Sequence, residues 1–126
     1  QCQKLWAKNK YLVLSYSSKI YLEIRTYLKQ EEVSLEKVDK LIKQAINLPE
    51  DKGQVTNALH HVWGYFKKSA TKEEKDNFFE LIEDYHINKT TKEDLIEEVK
   101  KLLEKYPNTY LEQSTFINGG KDETLA

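Results

Sequence analysis

The spacing of apolar residues along the chain predicts helices throughout its length. In the stretch 53–68, apolar side chains recur at intervals of three and four residues, at Val55, Ala58, Leu59, Val62 and Phe66. On roughly the opposite side the same spacing holds for Asn57, His61, Gly64, Tyr65 and Lys68. Asn and Gly are both unfavourable inside a helix, so something other than helix stability selects them. We therefore predict a central helix over about 54–69 with one buried face and one polar face.

Five further helices are predicted by apolar spacing and by residues typical of helix ends. Hydroxyl side chains that can accept from free backbone N–H groups precede four of them: Ser17 or Ser18, Ser34, Thr71 and Thr91. Two helices end before proline, which cannot continue a helix, at Pro49 and Pro107. The sequence predicts an all-α fold of about six helices, with residues 1–118 as one domain and 119–126 as a flexible tail.

Composition narrows the class of protein. Of 126 residues, 33% are charged, and no apolar run approaches the roughly 18 residues of a membrane span. The single Cys2 and three scattered histidines predict neither a disulfide nor a metal site. We expect a cytoplasmic protein without membrane contact, metal or cofactor. Because the chain starts with Gln1 rather than methionine, the question whether another domain precedes it stays open.

Charge is distributed unevenly along the chain. The first 30 residues hold six basic residues against Glu23 alone, whereas residues 71–126 hold eight lysines against fourteen acids. Basic residues mixed with aromatic rings suit RNA, because cations neutralise phosphates and rings stack on unpaired bases. The candidate phosphate-binding residues are Lys4, Lys8, Arg25 and Lys67. An ordinary solvated basic face is the alternative interpretation.

The polar face of the central helix is the second candidate site. Asn57 and His61 lie four residues apart, so they can share a ligand or bond to each other, and Gly64 leaves room for a close approach. With Tyr65, and with Lys10 and Tyr21 from the early helices, they form a possible ligand or nucleotide site. The alternative is structural: Asn57 and His61 are buried and satisfied, and Gly64 admits a crossing helix.

Several separated blocks resemble the YbgA-like family, a bacterial domain of unknown function. They are Lys10 with LVLSYS (12–17), Tyr21, the stretch 56–67, LIEDY (81–85) and YPNTYL (106–111). Members of this family occur alone or fused to TudS-type thiouracil desulfidase domains. The residues Lys10, Asn57, His61, Gly64 and Tyr65 fall on positions of the family motif.

This resemblance implies an accessory, non-catalytic domain that binds RNA, in particular tRNA, for thiouracil or thiouridine desulfuration. The desulfidase would act in cis or in trans. Two other functions stay open from the residues. One is a small-molecule enzyme or ligand-binding domain on the Asn57/His61/Tyr65 face, with His61 as acid or base and Lys10 as electrostatic stabiliser. The other is a protein-interaction scaffold with an exposed apolar patch.

Overall fold

The computed structural model describes residues 1–119, and every regular element among them is a helix, which confirms the all-α prediction. The six long helices are α1 Cys2–Leu14, α2 Ser18–Tyr27, α3 Leu35–Ile46, α4 Lys52–Trp63, α5 Lys72–His86 and α6 Lys92–Lys105. Two short helices follow, α7 Thr109–Glu112 and α8 Thr115–Asn118. Within the described part, none of these helices is long and apolar enough to cross a membrane. Of the predicted tail 119–126, all but Gly119 lies outside the described residues.

The predicted helix starts are confirmed by side-chain hydrogen bonds. Each cap accepts from the backbone N–H three residues later, and the caps are Ser17, Ser34, Thr71 and Thr91. At α5 the bond is reciprocal, because the Glu74 carboxylate accepts from the Thr71 N–H. Local sequence therefore determines where these four helices begin.

The central helix α4 ends at Trp63, six residues before the predicted end at 69. From Gly64 onward the N–H groups of Gly64, Tyr65 and Phe66 bond to carbonyls only three residues back, at 3.2, 3.0 and 2.8 Å. Glycine is a poor helix former, and here the chain leaves the α-helix at that residue. Residues 64–69, the turn segment, still bury Phe66 at 1% exposure, so the apolar stripe is confirmed while the helical register is not.

Two hydrophobic clusters make up the core, and α1 contributes to both. Cys2, Trp6 and Val13 pack with apolar residues of α2 and α3. Tyr11 and Leu14 join the larger cluster, which is formed by α4 to α8. Accordingly α1 packs against α2, α3, α4 and α8, while α4 supplies five buried side chains to the larger cluster. The basic first helix is thus held between the two halves of the core.

A buried polar contact joins α1 to the end of the described chain. Asn9 is fully buried and its Nδ2 donates to the Leu5 carbonyl at 3.0 Å. The Thr115 hydroxyl lies 2.7 Å from Asn9 Oδ1 and donates to it. Since buried polar groups need partners, this pair positions α8 against α1.

Candidate functional site

Three tyrosines from distant parts of the chain meet next to α1. Tyr11 lies on α1, Tyr65 in the turn segment and Tyr110 on α7, and we call them the tyrosine trio. The hydroxyl groups of Tyr11 and Tyr65 are 2.8 Å apart and share a hydrogen bond. The rings of Tyr65 and Tyr110 are nearly parallel, with an interplanar angle of 15° and centroids 6.1 Å apart. Tyr11 stands perpendicular to both, at 87° and 89°.

The three rings differ in exposure. Tyr11 is 6% exposed and lies beneath the other two, whereas Tyr65 is 36% exposed and Tyr110 is half-buried. Burial, and next the hydrogen bond with Tyr65, raise the pKa of Tyr11 above its ordinary value. Burial also raises the pKa of Tyr110. Both hydroxyl groups therefore keep their protons near neutral pH.

Lys10 lies over the trio. Its Nζ is 5.4 Å from the ring centroid of Tyr11 and 5.4 Å from that of Tyr110. These are cation–π distances. Among residues 1–119 Lys10 forms no ion pair, and α1 contains three lysines and no acid. The positive charge of Lys10 is thus stabilised by ring faces rather than by a carboxylate.

Tyr21 packs against Trp6 of α1. The two rings are tilted, with centroids 5.3 Å apart, and Tyr21 packs against both core clusters. The Tyr21 hydroxyl also raises the pKa of Tyr11 electrostatically. Trp6 itself is 6% exposed, so its ring is a core side chain and not a surface for stacking.

Asn57 and His61 are exposed on α4, so the structural alternative in which both are buried is wrong. Within the described residues neither side chain has a hydrogen-bond or ring partner, and they do not bond to each other. They are open to solvent because the opposite face of α4 supplies its buried side chains.

Gly64 does not admit a crossing helix, contrary to the structural alternative. It is exposed, and a Cβ there would lie 3.1 Å from the carbonyl oxygen of His61, which belongs to its own turn. Its φ of −54° is open to any residue. The glycine therefore accommodates the tight end of α4, and its role is local.

The predicted phosphate-binding residues are spread over three elements. Lys4 and Lys8 lie on α1 at i−7 and i−3 relative to Tyr11, so they share one side of that helix with it. Lys67 follows Tyr65 in the turn segment and is exposed. Arg25 is exposed near the end of α2, and no contact among the described residues joins it to the trio. Lys10 therefore contacts the trio, Lys4 and Lys8 lie on the same helix as Lys10, Lys67 lies two residues after Tyr65, and Arg25 lies on a different helix, α2.

The acidic part of the chain lies on other helices. α5 carries six acidic residues against two lysines, and it packs against α6, which carries five acidic residues against four lysines. No group of three or more His, Cys, Asp or Glu side chains within residues 1–119 could hold a metal ion. Exposed large apolar side chains occur at scattered chain positions: Leu22, Val33, Leu35, Leu48, Tyr65 and Ile87.

The sequence did not predict the contacts of Tyr110 with Tyr11 and Tyr65, or the hydrogen bond between Tyr11 and Tyr65. Helical periodicity reports which residues share one helix face, but these contacts span 54 residues for the hydroxyl pair. The sequence feature that could have indicated Tyr110 is the block YPNTYL at 106–111, which is one of the blocks that resemble the YbgA-like family. The sequence predicted Lys10, Tyr21 and Tyr65 together, and the structure brings them to one region around Tyr11.

A family model described as "Protein of unknown function (DUF1722)" matches residues 10–119. The match covers most of the chain, which therefore belongs to this family. It is consistent with the resemblance to the YbgA-like family. Neither the curated proteins nor the solved structures contain a match to the chain.

Proposed function

For this member of a family whose function is unknown, we propose an RNA-binding domain that carries out no chemistry itself. The observation that carries the proposal is the tyrosine trio, where the basic helix α1 meets the turn segment that follows the polar helix α4, through the Tyr11–Tyr65 hydrogen bond. Helix α1 carries three lysines, and α4 carries Asn57 and His61, which are exposed. Cations for phosphates, rings for bases and amide or imidazole groups for base edges are the side chains that RNA recognition uses.

The exposure of the polar face supports binding over catalysis. Small-molecule enzymes hold their reacting groups in concave sites that exclude water. His61 is exposed, and no described side chain orients its ring. An acid or base needs such orientation to act efficiently. An open surface of this kind suits a large, charged ligand whose own bulk covers the site.

From the resemblance to the YbgA-like family we further propose that the bound RNA is tRNA and that binding serves its desulfuration. Under this proposal the chain is a bacterial, cytoplasmic accessory domain. It holds thiouridine-containing tRNA for a TudS-type desulfidase, which acts in cis or in trans. The chain has one cysteine, so it has too few thiolates to hold an iron–sulfur cluster by itself. The expected effect on the desulfidase is a lower KM for tRNA with little change in kcat.

The test is fluorescence anisotropy of labelled, thiouridine-containing tRNA at several salt concentrations. A double variant, Lys4→Glu/Lys67→Glu, changes two exposed lysines, one on α1 with Tyr11 and one in the turn segment with Tyr65. For single-stranded contacts each phosphate pairing contributes about 0.7 to the slope of log affinity against log salt. The variant is therefore expected to bind more weakly and with a slope shallower by about 1.4.

A matched control changes the same net charge on the acidic side of the protein. Lys75→Glu/Lys101→Glu alters two exposed lysines of α5 and α6 and is expected to keep wild-type affinity apart from a small long-range effect. Absence of binding by folded wild-type protein at low salt overturns the proposal. Equal weakening by both double variants would also overturn the assignment of the surface, since only net charge would then matter.

A further inference from the structure

We infer that the tyrosine trio with Lys10 binds one unpaired base of the RNA, stacked on the trio, with the neighbouring phosphate on Lys10. This inference rests on the proposed function and specifies which part of the RNA the surface recognises. It concerns a single-stranded segment and not the face of a duplex. Bases within a duplex are covered on both faces by their neighbours, so only an unstacked base can lie on a protein ring.

The trio is already arranged before any ligand arrives. Tyr11 is buried in the core and its hydroxyl fixes that of Tyr65 at 2.8 Å. The ring of Tyr11 stands perpendicular to those of Tyr65 and Tyr110, whose planes differ by 15°. Ring positions fixed in this way lose little conformational freedom on binding, which favours a flat ligand.

Lys10 lies over the negative ring faces of the buried Tyr11 and the half-buried Tyr110, and the Tyr110 face is the one open to a ligand. Lys10 lies at 5.4 Å from the centroids of both Tyr11 and Tyr110, although its flexible side chain has solvent as an alternative. A stacked base interacts with an aromatic ring more strongly than an exposed ammonium group does. A base can therefore displace Lys10 from Tyr110.

The displaced ammonium group then has a partner in the same ligand. Among the described residues Lys10 has no carboxylate to return to, because its contacts are both with rings. The phosphate next to a stacked base supplies the missing anion, and α1 carries two further lysines, Lys4 and Lys8. A single nucleotide thus supplies a base for the trio and a phosphate for Lys10.

The experiment compares a labelled eight-nucleotide oligouridine with an RNA duplex of eight base pairs. Tyr110→Leu keeps an apolar side chain but removes the ring. It is expected to weaken oligouridine binding by about 5- to 150-fold, the range for loss of one stacked base. Duplex binding is expected to be weaker in the wild type and unchanged by the variant. The matched control is Tyr16→Leu, because Tyr16 is also half-buried with a lysine, Lys92, over its ring at 5.3 Å.

A second variant keeps the inference testable if Tyr110→Leu does not fold. Lys10→Met is expected to weaken oligouridine binding and to make the salt slope shallower by about 0.7, the contribution of one phosphate. The inference is overturned if the duplex binds as tightly as the single strand, or if Tyr110→Leu and Tyr16→Leu bind alike. Binding of tRNA with either of these results leaves the proposed function intact, whereas no binding to tRNA, oligouridine or duplex removes the function itself.

Discussion

Replacing Thr115 by valine tests whether the buried pair with Asn9 positions α8. Valine has nearly the same shape as threonine, so the change removes the hydroxyl and little else. Asn9 Oδ1 then loses its donor at 2.7 Å while the side chain stays fully buried. A buried acceptor without a partner costs roughly 1–3 kcal/mol. We expect Thr115→Val to lower the free energy of unfolding by that amount.

The second substitution makes the prediction specific to the pair. Leucine at position 9 has the same number and branching of heavy atoms as asparagine, although its methyl groups are bulkier, and it has no polar atom to satisfy. Replacing both partners by apolar groups of similar shape is close to neutral. Asn9→Leu should therefore restore part of the stability that Thr115→Val removes, with a coupling energy of about 1–2 kcal/mol in the double-mutant cycle.

Urea unfolding followed by circular dichroism measures the four proteins of the cycle. With a slope near 2 kcal/mol/M, the single variant should unfold at about 0.5–1.5 M less urea than the wild type. Thr109→Val, at an exposed position of α7, is the control and should stay within about 0.5 kcal/mol of the wild type. The reasoning is refuted if Thr115→Val costs no more than this control, or if the two single costs simply add.

Two further predictions concern contacts between helices. The Thr71 N–H, followed by the Lys105 and Tyr106 donors, lowers the pKa of Glu74 from 4.5 to about 2. Its carboxylate therefore stabilises the fold above pH 4.5 and loses this contribution as the pH falls towards 2. The difference in urea midpoint between wild type and Glu74→Gln should shrink over that interval, and a constant difference would contradict the assignment. Lys52 donates to the Tyr85 carbonyl at 2.9 Å and lies 4.0 Å from the centre of its ring, so Lys52→Met should cost about 1 kcal/mol in thermal unfolding. An equal loss in Lys75→Met, at an exposed residue, would count against these contacts as the cause.

Helix positions followed from the sequence wherever the cause was local. A hydroxyl at a cap needs only the N–H three residues later, as at Ser34 and Thr71. The end of α4 was the exception, because apolar spacing continued through Phe66 while Gly64 ended the helix. Periodicity predicted which side chains are buried there, but it could not distinguish an α-helix from the tighter turn that follows.

The features of the candidate site also fall into those that the sequence determined and those that only the tertiary structure decided. The sequence by itself determined that α1 is basic, that α4 has a polar face and that Lys10, Tyr21 and Tyr65 belong to the candidate residues. Only the tertiary structure decided that Asn57 and His61 face solvent and that Tyr11, Tyr65 and Tyr110 touch. The physical reason is the distance along the chain over which each effect acts. Capping and helical periodicity act over three or four residues, whereas the trio joins α1, the turn segment and α7, and packing of whole helices around α1 brings these together.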